Sequence, residues 1–159
     1  METNKFQLKG DEGLNIYYKW ITTETKNKNY TYDILANMDE YGTYDVKQLK
    51  HRKDDYTITS TSYVEIKTRN NTSYQFEDCI IDSYKIFNLQ KLSATTGVKV
   101  FLCAIYTDNK LAIWEIDPNK QYPIINKEVP WHTVRPEDGK RIKEMVPLPL
   151  NEAKKYNYQ

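Results

Sequence analysis

Glu65 and Lys67 stand two residues apart in the run YVEIKTR (residues 63–69), whose Tyr, Val, Ile and Thr are strand-forming types. On a strand the two side chains share one face, while Val64 and Ile66 take the other. A carboxylate beside an ammonium, above an apolar floor, has a definite chemical use. The carboxylate holds Mg²⁺ or Mn²⁺, which prefer oxygen ligands. The amine orients or deprotonates a water and stabilises charge on a phosphate. A Glu-x-Lys alone also describes an ordinary solvated strand face, so the pair needs a second carboxylate before it means more.

Asp45 offers one. If residues 43–50 (TYDVKQLK) pair as a hairpin with residues 56–68 (YTITSTSYVEIKT), around a charged tip at 51–55, Asp45 falls opposite Glu65. Val46 then points to the core while Asp45 faces Glu65. Asp55 competes, because a shorter hairpin turning at Ser60 would pair it with Glu65 instead; the longer pairing favours Asp45 and leaves the basic tip free.

The elements needed to hold these groups are legible along the chain. Residues 11–23 carry Leu14, Tyr17, Tyr18 and Ile21 at helical spacing, with Asp11 and Glu12 in the expected first turn. Residues 30–36 (YTYDILA) read as a first strand, before the two just described. From 80 to 93 the period changes. Ile80, Ile81, Tyr84, Phe87, Leu89 and Leu92 fit one helical stripe that Gly97 ends. Residues 99–106 (KVFLCAIY) are a near-continuous apolar run, as in a strand covered on both faces, and 110–116 is its return strand after a turn at Asp108-Asn109. Residues 117–159 have a weak pattern and read as an extended segment packing through Trp131, Val134, Met145 and Leu148.

Asp45, then Glu65-Ile66-Lys67 on a later strand, then a helix carrying Lys85, resembles the PD-(D/E)XK nuclease superfamily. Its αβββαβ core is similar to the order read over about residues 11–116. The resemblance implies an α/β (α+β), restriction-endonuclease-like fold: a mixed sheet flanked by helices, in one domain over 1–159 with a C-terminal extension from 117. It implies a metal-dependent DNA endonuclease that hydrolyses phosphodiester bonds, of the small bacteriophage or Holliday-junction-resolvase kind, with branched DNA among its substrates. Asp45 and Glu65 would hold Mg²⁺ or Mn²⁺, the Ile66 carbonyl would be a further ligand, and Lys67 would be the catalytic lysine. Glu12 matches the acid that many members add from the first helix, and Lys85 the basic residue on the second. Tyr44 stands where the motif name expects proline. DNA is the implied partner, and resolvase-like members present two sites as homodimers. The alternative is a nuclease-fold module that binds nucleic acid or a protein without cutting.

The remaining residues narrow the field. With 159 residues and 14 tyrosines, the chain can bury a core without staples. A net charge of +1 neither requires nor excludes nucleic acid, so binding depends on where charge gathers. It gathers at Lys47, Lys50, His51, Arg52 and Lys53, a candidate phosphate-contacting hairpin or else a solvated turn, and again at Lys140, Arg141 and Lys143 near Trp131 and His132. Cys79 and Cys103 lack the spacing of a zinc site and read as buried thiols. No glycine-rich phosphate loop occurs, which argues against nucleotide chemistry. The first ten residues hold no apolar leader and no run is long enough to span a membrane, so a cytoplasmic location is expected.

Overall fold

The computed structural model describes residues 5–39, 42–131 and 136–159. Helix α1 (Lys5–Glu24) is followed by a meander of β1 (Tyr30–Ala36), β2 (Val46–Arg52) and β3 (Ile58–Thr68). A short strand β4 (Asp78–Asp82) leads into helix α2 (Ser83–Thr96), then come β5 (Lys99–Ile105) and β6 (Lys110–Glu115). The αβββαβ order expected from the resemblance is therefore present, with β4 inserted before α2.

The main sheet has the order β1-β2-β3-β5-β6-β9, where β9 is Lys154–Asn157. Among the described strands only β3 and β5 run parallel, joined through α2. Parallel neighbours need such a crossover, and both faces of the strands around it are then covered. Here α1 covers one face, with Tyr17, Trp20 and Ile21 on Val64, Cys103, Ile105 and Leu111. α2 and a second sheet cover the other, with Ile86, Leu89, Val146 and Leu148 on Leu102, Ala104 and Trp114. α1 lies close against β3 at Gly13, where a Cβ would sit 3.1 Å from Thr68 Cγ2 and 3.3 Å from Ile66 Cγ2.

Four expectations change. Residues 117–159 are not merely an extended coat: β7 (Ile125–Pro130) and β8 (Lys140–Pro149) pair with β4 as a sheet β4-β8-β7, and β9 extends the main sheet. That pairing joins β4 to β8, some 65 positions away, so it leaves no local pattern to read. Second, residues 80–82 belong to β4, not to the helix. Ile81 pairs with Val146 and Asp82 with Met145, and the helix begins at Ser83. Tyr84 and Phe87, placed on the buried stripe by period, are exposed, while Ile86 and Leu89 are buried. Third, α1 starts at Lys5, so Glu12 lies inside the helix rather than in its first turn. Fourth, His51 and Arg52 end β2, and the tip is shorter. Leu148 on β8 is buried in the core as expected, but its strand neighbour Met145 is half-buried on the outer face of the second sheet, and Trp131 is 54% exposed; Val134 and His132 lie outside the described residues. Among the described residues no helix is long and apolar enough to cross a membrane.

Candidate active site

Glu65 lies in the middle of the covered part of β3, opposite Leu102 of β5. Strand alternation puts it on the α2 side, and its side chain is only 4% exposed. Burying a carboxylate is costly unless cations or donors surround it. Two do: Lys85 Nζ, from the first turn of α2, stands 3.0 Å from Glu65 Oε1, and Lys67 Nζ stands 3.5 Å from the same oxygen. The other oxygen, Oε2, is buried with no hydrogen-bond partner among the described residues. Burial pushes the Glu65 carboxyl above its ordinary range, the Asp45 carboxylate pushes it further, and Lys67 and Lys85 pull it back.

Asp45 is the residue before β2. The hairpin register ends with Val46 on Val64, which brings Asp45, one residue beyond it, against the Val64–Ile66 stretch of β3 beside Glu65, the end of the hairpin that the longer pairing requires. Asp45 is held at three points. Its amide donates to the Val64 carbonyl (3.0 Å), its carbonyl accepts from the Asn37 amide (2.8 Å), and its Oδ2 accepts from the Ile66 amide (2.7 Å). In an extended residue the N–H and C=O point to the same edge. The Ile66 carbonyl therefore also faces the Asp45 side, past the last β2–β3 pair. Asp55 is at the far end of the hairpin, where it binds Arg52 and the Thr57 amide. About seven residues of strand, or ~23 Å, separate Ile58 from Glu65, so Asp55 is not a partner for it.

The structure thus gathers Asp45, Glu65, the Ile66 backbone, Lys67 and Lys85. It does not bring Glu12 to them. α1 covers the opposite face of β3, Glu12 is exposed there, and its electrostatic neighbour is Tyr158, beyond β9. Arg69 was absent from the expected set, although the alternation that pairs 65 with 67 continues to 69. Its guanidinium reaches the Cys79 Sγ (3.1 and 3.4 Å) and the Ile80 carbonyl, on the α2 side.

The four basic residues of the hairpin separate. Lys47 pairs with Tyr63 and so shares the face of Glu65, one strand over. Lys50 Nζ lies 4.0 Å from the centre of the Tyr30 ring, Arg52 binds Asp55 at 3.2 Å, and Lys53 Nζ donates to the Thr25 carbonyl at 3.4 Å. His51 is not part of a solvated tip. It is buried, with Nε2 2.6 Å from Asp33 Oδ2 and Nδ1 3.2 Å from the Tyr56 carbonyl. In the second basic set, Lys143 binds Asp82 at 2.7 Å and Arg141 lies 5.2 Å from the Trp131 ring centre.

The donor set suits a hard cation. Among the described residues no group of three His, Cys, Asp or Glu side chains is placed to hold a metal, so a cation here would rest on two carboxylates and a backbone carbonyl. Mg²⁺ is commonly held by one or two carboxylates and keeps several waters. Asp45 and Glu65 with the Ile66 carbonyl meet that description, and the unpartnered Glu65 Oε2 is an oxygen that a cation would satisfy.

No protein-family profile matches the sequence, and no curated protein matches it. Among solved structures, a similar chain is the Hjc Holliday junction resolvase of Archaeoglobus fulgidus, at 8% identity and a TM-score of 0.42, over 66% of this chain and 73% of that one.

Proposed function

We infer that this chain is a Mg²⁺- or Mn²⁺-dependent endonuclease that hydrolyses phosphodiester bonds in DNA. The observation that carries the reading is Glu65: a carboxylate buried to 4% exposure, flanked by two lysines and Asp45, with one oxygen left unpartnered. A carboxyl shifted by burial and by a specific charged neighbour is a functional-site candidate with a physical reason. Asp45 and Glu65, with the Ile66 carbonyl, would hold the metal. The metal, when bound, lowers the pKa of a coordinated water and offsets charge on the phosphoryl oxygens. Lys67, the more exposed of the two lysines at 36%, orients the attacking water and stabilises the charge that develops on the phosphate. Lys85, 17% exposed, holds Glu65 ionised and in place. Lys47 contacts the backbone beside the site, and Arg52 and Lys53 meet the duplex further along, since ~23 Å of strand corresponds to about seven base pairs.

The test is cleavage of plasmid, single-stranded and branched DNA in Mg²⁺ or Mn²⁺. Lys67→Ala should abolish nicking and leave the melting temperature near that of the parent chain. A fully active Lys67→Ala protein would remove Lys67 from the mechanism, and an inactive parent chain that still binds DNA would favour a second reading. In that reading the fold binds nucleic acid without cutting; its support is that both lysines already sit on Glu65 Oε1, neutralising it without a metal.

A further inference from the structure

The row Glu65, Lys67, Arg69 continues past the end of β3, and Arg69 lines a cavity of about 630 Å³. One wall is the face of the second sheet turned away from the core. Ile81, Val146 and Leu148 point inward, so the neighbours Ile80 and Met145 point outward, and both line the cavity. The opposite wall is the 69–77 connection, with the Phe76 ring, 58% exposed, Gln75, and Asn71, whose Nδ2 donates to the Thr72 carbonyl at 2.9 Å and whose Oδ1 remains an acceptor. Glu77 and Asp78 bring carboxylates to the same space.

This lining selects among ligands. Two carboxylates disfavour a phosphate inside the cavity. The Arg69 guanidinium keeps its charge, but its Nε and one terminal nitrogen are turned to the Cys79 thiol and the Ile80 carbonyl rather than into the open space. Carboxylates and amides are the groups that read the amino and ring-edge positions of nucleobases, and an exposed aromatic ring is a stacking platform for any base. The exposed Lys127, also on the lining, is left to meet a phosphate outside. Position agrees with chemistry. Arg69 is two strand residues beyond Lys67, about 7 Å, or about two nucleotides at 3.4 Å each along a strand. A base at that distance in a duplex is stacked and paired, so only an unpaired or extruded base can enter a side cavity.

We propose that this cavity takes one unpaired nucleobase within about two nucleotides of the phosphate at Lys67, with Phe76 stacking on it and Asn71, Gln75 and Asp78 meeting its edge. The proposal rests on the nuclease reading above. It assigns the cavity a role in substrate choice: a phosphodiester beside an unpaired nucleotide is preferred to one in continuous duplex.

The experiment titrates the full chain, in EDTA so that no cleavage intervenes, into oligonucleotides carrying 2-aminopurine one or two positions into a single-stranded segment next to a duplex. Binding should change the probe fluorescence. Phe76→Ala should weaken affinity for this oligonucleotide by about 5- to 150-fold, the loss of one base–aromatic stack, and abolish the fluorescence change. Phe76→Trp should restore both, and affinity for a fully paired duplex should stay unchanged in either variant. A Phe76→Ala chain that binds the unpaired probe as the parent does, with the same fluorescence change, overturns the proposal. So does an equal loss of duplex binding. A parallel nicking assay in Mn²⁺ separates the two levels: nicking without a probe response sinks the cavity's role alone, and neither binding nor nicking sinks the nuclease reading with it.

Discussion

Lys85→Met removes the nearer of the two cations from a buried carboxylate while keeping most of the side-chain volume. The pair is 3.0 Å apart, with Glu65 4% and Lys85 17% exposed, so solvent screens it little. A hydrogen bond to a charged group contributes about 1.5–3 kcal/mol, and breaking a fully buried pair costs about 3–5 kcal/mol. Lys67 remains at 3.5 Å from the same oxygen, which holds the expected loss to the lower range, about 1.5–3 kcal/mol. For a chain of this size that is a fall in melting temperature of about 3–12 °C. The loss has a signed pH dependence. Glu65 already titrates above its ordinary value, because of burial and then Asp45, and losing Lys85 raises it further. A raised carboxyl binds more protons folded than unfolded, so each form loses stability as pH rises from the ordinary glutamate value through its own folded value. The variant has the higher folded value and loses more. Parent and variant should therefore differ least in acid, where Glu65 is protonated in both, and diverge as pH rises to neutrality. Urea denaturation from pH 4 to 8 in EDTA measures this. An unchanged midpoint at pH 7, or a difference independent of pH, would refute the claim that Lys85 acts through the ionised Glu65.

Other substitutions separate the parts of the site from the scaffold. Asp45→Asn keeps an acceptor for the Ile66 amide, so its stability should stay within about 1 kcal/mol of the parent, while Mn²⁺ binding by calorimetry should fall at least tenfold; unchanged metal affinity would remove Asp45 from the ligand set. Gly13→Ala gains about 1 kcal/mol of helix propensity inside α1 but brings a Cβ to 3.1 and 3.3 Å from the Thr68 and Ile66 methyls, an overpacking cost of about 1–3 kcal/mol, so the net effect is a loss of up to about 2 kcal/mol; thermal melting reads it, and a clear gain in stability would show that α1 does not press on β3 there. Lys47→Ala should weaken DNA binding about equally for all sequences and lower the salt slope of log K by about one. Binding isotherms at three or more salt concentrations decide that point.

Much of the site's frame was legible in the amino-acid order. Period-two alternation alone puts Glu65 and Lys67 on one strand face and Val64 and Ile66 on the other. Turn chemistry bounds β1 at the residues observed, Tyr30–Ala36, and the apolar run of β5 announces a strand buried on both sides. Hairpin geometry is local, so the pairing of Val46 with Val64, and with it the place of Asp45, also followed from spacing. What the sequence could not decide is what each face meets. The family resemblance offered Glu12 and Lys85 alike as helix partners, but α1 packs on the Ile66 side of β3 and α2 on the Glu65 side, so only Lys85 arrives. The second sheet depends on β4 meeting β8 across the chain, a contact set by shared burial of Cys79, Ile81, Val146 and Leu148 rather than by any local propensity. Glu65 itself shows the division. Its identity and direction belong to the sequence, but its burial, its two lysines and its unpartnered oxygen exist only because distant elements close over one face of β3.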